Sequence, residues 1–330
     1  MLLRSIARIV GLSATLLAAI VIASACLVRQ PSLSNAPRLV RTPADPNRLR
    51  TDVAFLTRDA SPRDIQHPEK LELAATYIGA ELSKAGVAVM SQPYDIRGRA
   101  FRNLIVRLGP DGPGALVIGA HYDAFGETNV NPGADDNASG VAGLLEIARL
   151  LRGEPLSRPL LLVAYCTEEP PYYHSESMGS AVHAASLRQS DSWPVGMVSL
   201  EMIGYFNREQ PWPSRLFGLA YPTRGDFIAV VGRWADRRLA REFRRGINGA
   251  STVAAYSYSG PAIAGSEASD HSSYWNEGYS AVMVTDTAFI RNANYHAPTD
   301  TLETLDFNRM AQVVTGVANA AMTLCQRSSD

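Results

Sequence analysis

His121 and Asp123 stand two residues apart, directly after the apolar run 115–119. Side chains alternate along an extended chain, so both fall on one side of it, where a carboxylate can fix the tautomer of a metal-binding imidazole. Asp135 follows twelve residues after Asp123, in the loop Gly133-Ala134-Asp135-Asp136-Asn137-Ala138-Ser139-Gly140. Asp136 and Asn137 also suit the N-terminus of the helix that comes next, whereas Asp135 sits further out between glycines. Glu168 and Glu169 follow a second apolar run, and adjacent carboxylates repel each other unless a cation is near. Glu201 lies between Leu200 and Met202-Ile203, and a buried lone carboxylate calls for a partner or a metal. His296 stands on a late loop, Asn294-Tyr295-His296-Ala297-Pro298. Two histidines and three carboxylates that follow separate core elements are the donor mixture preferred by Zn²⁺, or by two hydrolytic metals sharing one carboxylate. Glu168 is then left free as a base.

These groups need a scaffold that brings loop ends together. Residues 67–85 carry apolar side chains at helical spacing, and Gly86 stops the run. Residues 87–90 and 104–108 read as strands. The runs 115–119, 160–165, 227–231 and 281–284 are almost wholly apolar, as strands covered on both faces should be. Residues 139–152 form a helical pattern between the first two of these. Helix alternating with buried strand predicts an α/β fold, a three-layer α/β/α sandwich around a mixed, largely parallel sheet. In such sheets, ligands bind beyond the carboxyl ends of the strands, where the candidate residues fall.

The chain has 330 residues and a formal net charge of −1, which leaves no global electrostatic argument for nucleic acid as a partner. Its three cysteines, Cys26, Cys166 and Cys325, lack disulfide or metal spacing. Arg4 and Arg8 precede an uncharged stretch, 9–28, long enough as a helix to span roughly 30 Å of bilayer. Residues 1–29 therefore read as an N-terminal membrane anchor. Ala23-Ser24-Ala25-Cys26 offers the competing reading of a lipoprotein-type signal. An ordinary cleaved signal is the third reading, and all three send the remainder out of the cytoplasm, the first two into the cell envelope. The Pro- and Arg-rich stretch 30–49 reads as a linker, and 50–330 as one catalytic domain.

Taken in order, the motifs resemble those of the co-catalytic zinc aminopeptidases, a family that includes secreted bacterial leucyl aminopeptidases, glutamate carboxypeptidases and glutaminyl cyclases. The resemblance covers roughly residues 65–325 and includes Ser269-Asp270-His271. It implies that Asp135 bridges two Zn²⁺ ions, that His121 and Glu201 complete one site, and that Glu169 and His296 complete the other. It further implies Glu168 as general base for a metal-activated water, Asp123 as the residue orienting His121, and a cis peptide between Asp135 and Asp136. The activity implied is removal of N-terminal residues from a peptide or small aminoacyl substrate. A glutaminyl cyclase-like zinc enzyme and a non-catalytic, envelope-anchored binding domain are the alternatives.

Three departures from the family pattern bear on the pocket. Glu201 replaces the usual Asp. Pro170-Pro171-Tyr172-Tyr173 opens a longer loop after Glu169, expected to wall the substrate pocket with Tyr172 and Tyr173, or else to be a rigid surface loop. Ser266 occupies a position where relatives carry an oxyanion-stabilising Tyr, leaving Tyr256, Tyr258 and Tyr274 as substitutes. His67 and His183 read as surface positions on helices, His271 as a support of the site, and Cys166 as a small packing residue.

Overall fold

The computed structural model describes residues 15, 19, 23, 26, 28–32, 34–126 and 130–326. The expected anchor, 1–29, lies almost wholly outside the described residues, and among these no helix is long and apolar enough to cross a membrane.

The chain runs α1 (Pro46–Ala54), α2 (Pro68–Lys84), β1 (Val89–Ile96), β2 (Arg99–Leu108), β3 (Leu116–His121), α3 (Gly140–Leu151), β4 (Leu160–Tyr165), α4 (Gly179–Gln189), β5 (Gly196–Glu201), α5 (Arg215–Ala220), β6 (Phe227–Arg233), α6 (Arg237–Ala250), β7 (Ala254–Gly260), α7 (His271–Asn276), β8 (Ala281–Thr285) and α8 (Phe307–Cys325). The eight strands form one sheet in the order β1-β2-β4-β3-β5-β8-β6-β7. β4, β3, β5 and β8 are mutually parallel, while β2 and β6 join them antiparallel on either side. Every residue of β3, β4, β5 and β8 is buried, which is why the segments of β3, β4 and β8 read as apolar runs.

Helices cover both faces. Leu116, Ile118 and Ala120 of β3 join a large core with α1, α2, α3, α6 and α8, whereas Val117 packs on the other face with Leu161, Tyr165, Ala184 of α4 and Tyr274 of α7. Proline at the first position of α2 pre-sets its φ, and the helix buries Leu71, Ala74, Ala75, Ile78 and Leu82. The stretch expected to act as a spacer, 30–49, is laid along the domain. Leu39 N donates to Asn319 Oδ1 at 2.6 Å and Ala44 N to Thr315 Oγ1 at 2.9 Å, and Pro46 already opens α1. Arg149 of α3 ties this face together through Asp52 Oδ2 at 2.6 Å, Glu81 Oε2 at 2.9 Å and Glu146 Oε2 at 3.4 Å. His183 corrects one expectation: it is buried, 3 % exposed, and its Nδ1 meets the Tyr274 hydroxyl.

Candidate active site

The parallel strands deliver their carboxyl ends to one edge of the sheet. β3 ends on His121, β4 runs into Cys166-Thr167-Glu168-Glu169, and β5 ends on Glu201. The loop before α3 closes over these ends, and the loop bearing His296 approaches from β8. Gly133 opens the α3 loop at φ +60°, and a Cβ there would fall 2.3 Å from Asp136 O. Gly140 ends it, where a Cβ would fall 2.4 Å from Asn137 Oδ1. Asn137 fastens the loop to the end of β5, donating to Leu200 O at 2.8 Å and accepting from Met202 N at 3.1 Å.

Two donor groups result, and Asp136 belongs to both. His121 Nε2 lies 3.4 Å from Asp136 Oδ1 and 3.4 Å from Glu201 Oε2. His296 Nε2 lies 3.2 Å from Asp136 Oδ2 and 3.5 Å from Glu169 Oε2. The shared carboxylate thus turns one oxygen to each group. Asp135, expected to be the bridge, points the other way. Its Oδ1 accepts from Gly204 N at 2.9 Å and its Oδ2 from Asn292 Nδ2 at 2.8 Å. The cis peptide is displaced by the same single residue, to Asp136–Asn137. Of the expected ligands, the structure brings His121, Glu169, Glu201 and His296 together and replaces Asp135 by Asp136.

Asp123 accepts from the backbone N–H of Glu168 at 3.2 Å and of Glu169 at 3.0 Å, and its Oδ1 lies 3.5 Å from His121 Nδ1. It therefore positions the glutamate pair as well as the imidazole. Glu168 belongs to neither donor group, and its Oε2 stands 3.8 Å from His121 Nε2 at the wall of the groove. Asp300 accepts from the N–H of both Asp135, at 3.0 Å, and Asp136, at 3.1 Å. Arg63, fully buried, donates to four backbone carbonyls: Leu56, Tyr122, Pro132 and Gly133. It thereby ties the chain beside His121 to the loop that carries Asp136. The Cys166 side chain packs in the main core, as expected.

The electrostatics suit cations. Burial drives the Asp136 carboxyl up, but the two imidazoles facing it outweigh burial and hold it below the usual carboxylate range. Burial, reinforced by the charge of Asp136, raises Glu169 to about 7. Burial also raises Glu168 well above the carboxylate range. Burial alone would lower His296, yet hydrogen bonds to Asp136 and Glu169 bring it to about 10. Four carboxyls of Asp136, Glu168, Glu169 and Glu201 share this edge with two imidazoles, and Glu169 Oε1 is buried with no hydrogen-bond partner among the described residues. The mixed N/O donor set fits a pair of divalent metals.

The groove is lined by Phe125, Tyr173, Tyr295 and Phe289 beside the acidic groups. Phe125 and Tyr295 stack on either side of His296, at 4.0 and 3.8 Å. Tyr173 walls the groove as expected, whereas Tyr172 turns back onto Phe101. None of the three substitute tyrosines lines the groove. Tyr274 bonds Tyr165 at 2.7 Å, Tyr258 donates to Pro261 O at 2.7 Å, and Tyr256 lines a neighbouring cavity. That apolar cavity, about 60 Å³, adjoins the groove through Gly265, Met283, Ala288 and Phe289. Asp300, Asn292 and Arg63 act from the supporting layer. The motif pattern does not mark them, because each acts on backbone groups far away in sequence.

Residues 103–321 match the model of Peptidase family M28. The chain is 43 % identical over 299 residues to the uncharacterized protein YfbL of Escherichia coli K12, covering 87 % of this chain and 91 % of that one. It is 24 % identical over 294 residues to leucine aminopeptidase 1 of Trichophyton rubrum, covering 81 % and 74 % of the two chains. It matches only about half, 51 %, of the Ajellomyces dermatitidis leucine aminopeptidase 1, at 28 % identity over 221 residues, 63 % of this chain. Among solved structures, the LapA aminopeptidase of Legionella pneumophila superposes with a TM-score of 0.70 at 19 % identity, over 87 % of this chain and 73 % of that one. The glutaminyl cyclase of Porphyromonas gingivalis superposes at 0.63 and 20 % identity, over 85 % and 99 %. These two likenesses establish the shared fold.

Proposed function

The chain belongs to peptidase family M28, whose members are metal-dependent, and we propose that it is an aminopeptidase that removes N-terminal residues from peptides. The observation that carries this reading is the shared carboxylate: Asp136 faces two His–carboxylate groups, with Glu168 beside them and outside both. His121, Asp136 and Glu201 would hold one divalent ion and Asp136, Glu169 and His296 the other, most simply both Zn²⁺. Bound there, such ions supply Lewis acidity toward a carbonyl and lower the pKa of water.

The chain's own side chains do the rest. Glu168, held by Asp123 through its backbone N–H, is placed to take a proton at Oε2 and return it to the departing amine. Phe125, Tyr173 and Tyr295 restrict solvent around the groove. The adjoining cavity, walled by Trp212, Phe227, Tyr256 and Met283, accepts an apolar side chain, so we assign the preferred N-terminal residue to the apolar class. We further propose that residues 1–29 anchor the domain outside the cytoplasm, because Arg4 and Arg8 precede the uncharged stretch 9–28.

The test is a panel of aminoacyl-nitroanilides plus an N-terminal glutaminyl peptide, with metal content measured alongside. Hydrolysis of leucyl and phenylalanyl substrates with about two metals per chain is expected. Formation of pyroglutamate without hydrolysis would assign the site to cyclisation instead. For the anchor, cell fractionation should find the chain membrane-bound whether or not Cys26 is changed to Ala. Release on that change would select the lipoprotein signal.

A further inference from the structure

Over residues 233–245 the sequence sets six arginines against Asp236 and Glu242, a local charge of +4. The rest of the chain, with 25 basic and 30 acidic residues, carries −5. The near-neutral total therefore conceals one strongly basic element. It is α6 and the turn before it. α6 buries Leu239, Ala240, Phe243 and Ile247 against the core and turns Arg237, Arg238 and Arg241 to solvent. The two acidic groups in this stretch are engaged, Asp236 with Arg233 at 2.9 Å and Glu242 with Arg245 at 3.7 Å. Among the described residues no carboxylate pairs with Arg237, Arg238 or Arg241. Arg237, Arg241 and Arg245 follow one another at four-residue spacing, where like charges on a helix repel.

The chain that leaves the uncharged stretch 9–28 is laid against this same helix. Arg244 donates to Ser32 Oγ at 2.6 Å and Arg245 to Ser34 O at 3.0 Å, and Ala36 N donates to Arg245 O at 3.0 Å. Arg29 stacks 5.4 Å over both Tyr221 and Tyr256. A membrane entered by residues 9–28 thus lies beside α6. Trp234, 40 % exposed, stands where α6 begins. Tryptophan favours the bilayer interface, and guanidinium groups bind phosphates in a bidentate fork.

We propose that the exposed basic face of α6, led by Arg237, Arg238 and Arg241 with Trp234 at its edge, docks on the headgroup phosphates of an anionic phospholipid bilayer. Docking holds the catalytic domain in one orientation on the membrane. The inference uses the proposed anchor only to say where the membrane lies.

The full chain reconstituted into nanodiscs tests it, with phosphatidylcholine alone compared with phosphatidylcholine plus phosphatidylglycerol. Brominated acyl chains quench interfacial tryptophan, and the Trp234→Phe variant isolates the contribution of Trp234. Quenching of Trp234 should appear in the anionic discs, be weak in neutral ones, and fade with added salt. Each arginine near an anionic surface shifts the docked-to-free ratio by roughly fivefold, and the three charge reversals in R237E/R238E/R241E should lower that ratio by more than roughly 100-fold. Peptidase turnover of this variant should be unchanged, which shows that it is folded. Equal quenching in both discs, or quenching indifferent to the triple variant, would overturn the proposal. So would absence of quenching together with duplex DNA binding by the parent chain and not by the variant. Co-elution with discs is scored separately. Capture by anionic discs alone upholds the docking without the anchor, and capture by neither overturns both.

Discussion

The exchange of Asp135 for Asp136 as the shared carboxylate is testable by two substitutions one residue apart. Asp136→Asn removes the negative charge that lies 3.4 Å from His121 Nε2 on one side and 3.2 Å from His296 Nε2 on the other. It replaces one of the two outward-facing oxygens by an amide NH₂, which cannot ligate. Asp135→Asn keeps an oxygen for Gly204 N, now 2.9 Å from Oδ1, and disturbs the bond from Asn292 and the contact with Asp286. Losing a residue that supports a ligand typically weakens metal binding about 10–100-fold. Asp135→Asn should stay within that range. Asp136→Asn takes the direct donor from one ion and leaves the other only a neutral amide oxygen, so each should weaken beyond that range, by more than roughly 10⁴-fold for the pair. The assay is metal retained per chain after dialysis against a graded series of chelator concentrations, with circular dichroism to show that both variants are folded. The expected result is near-complete loss in Asp136→Asn and partial retention in Asp135→Asn. If Asp135→Asn loses both metals while Asp136→Asn keeps them, the geometric reasoning fails.

Glu168→Gln should retain both metals and lower kcat by roughly 10²–10⁴-fold with little change in KM, whereas Glu169→Gln should lose metal from one site; metal content and steady-state kinetics together separate the pair. Arg149→Met leaves Asp52 buried without its cation, while Glu146 keeps Arg48, and should destabilise the fold by about 3–5 kcal/mol in denaturant titrations, since breaking a buried pair strands a charge. Burial holds His183 neutral in the fold down to about 4, while in the unfolded chain it protonates near 6.5. Its contribution is therefore fully present above pH 6.5 and is lost as pH falls toward 4, in total about 3 kcal/mol. In metal-free protein, His183→Asn should make the fall in unfolding free energy across that interval shallower by about this amount.

Much of the scaffold was legible because burial on both faces writes itself into a run of residues. The strand expected over 160–165 forms at Leu160–Tyr165, and the helix expected over 139–152 forms at Gly140–Leu151. Elements with mixed surroundings were not legible. β7, α6 and α8 escaped notice, as did β5, which is wholly buried but carries Ser199 and Glu201 among its apolar residues. Arg237, Arg238 and Arg241 of α6 face solvent, and the buried Asn319 of α8 is satisfied by backbone groups of the 30–49 stretch and of Gly246. His183 was misjudged for a related reason: a single histidine on a weakly amphipathic helix gives no sign that Tyr274, ninety-one residues away, will cover it.

For the site, residue type and chain order by themselves determined that two histidines and a set of carboxylates would meet beyond strand ends, because only those side chains at those places suit divalent metals. They could not decide which of two adjacent aspartates faces the metals. Asp135 and Asp136 are chemically identical, and their orientation is set by groups remote in sequence. Asp300 receives both N–H groups, Gly204 and Asn292 claim the Asp135 carboxylate, and Arg63 holds the carbonyl of Gly133. The basic face of α6 follows the same division: its arginines are plain in the sequence, but only the tertiary structure gathers them onto one exposed surface beside the N-terminal segment, because side-chain direction depends on which face of the helix the core takes.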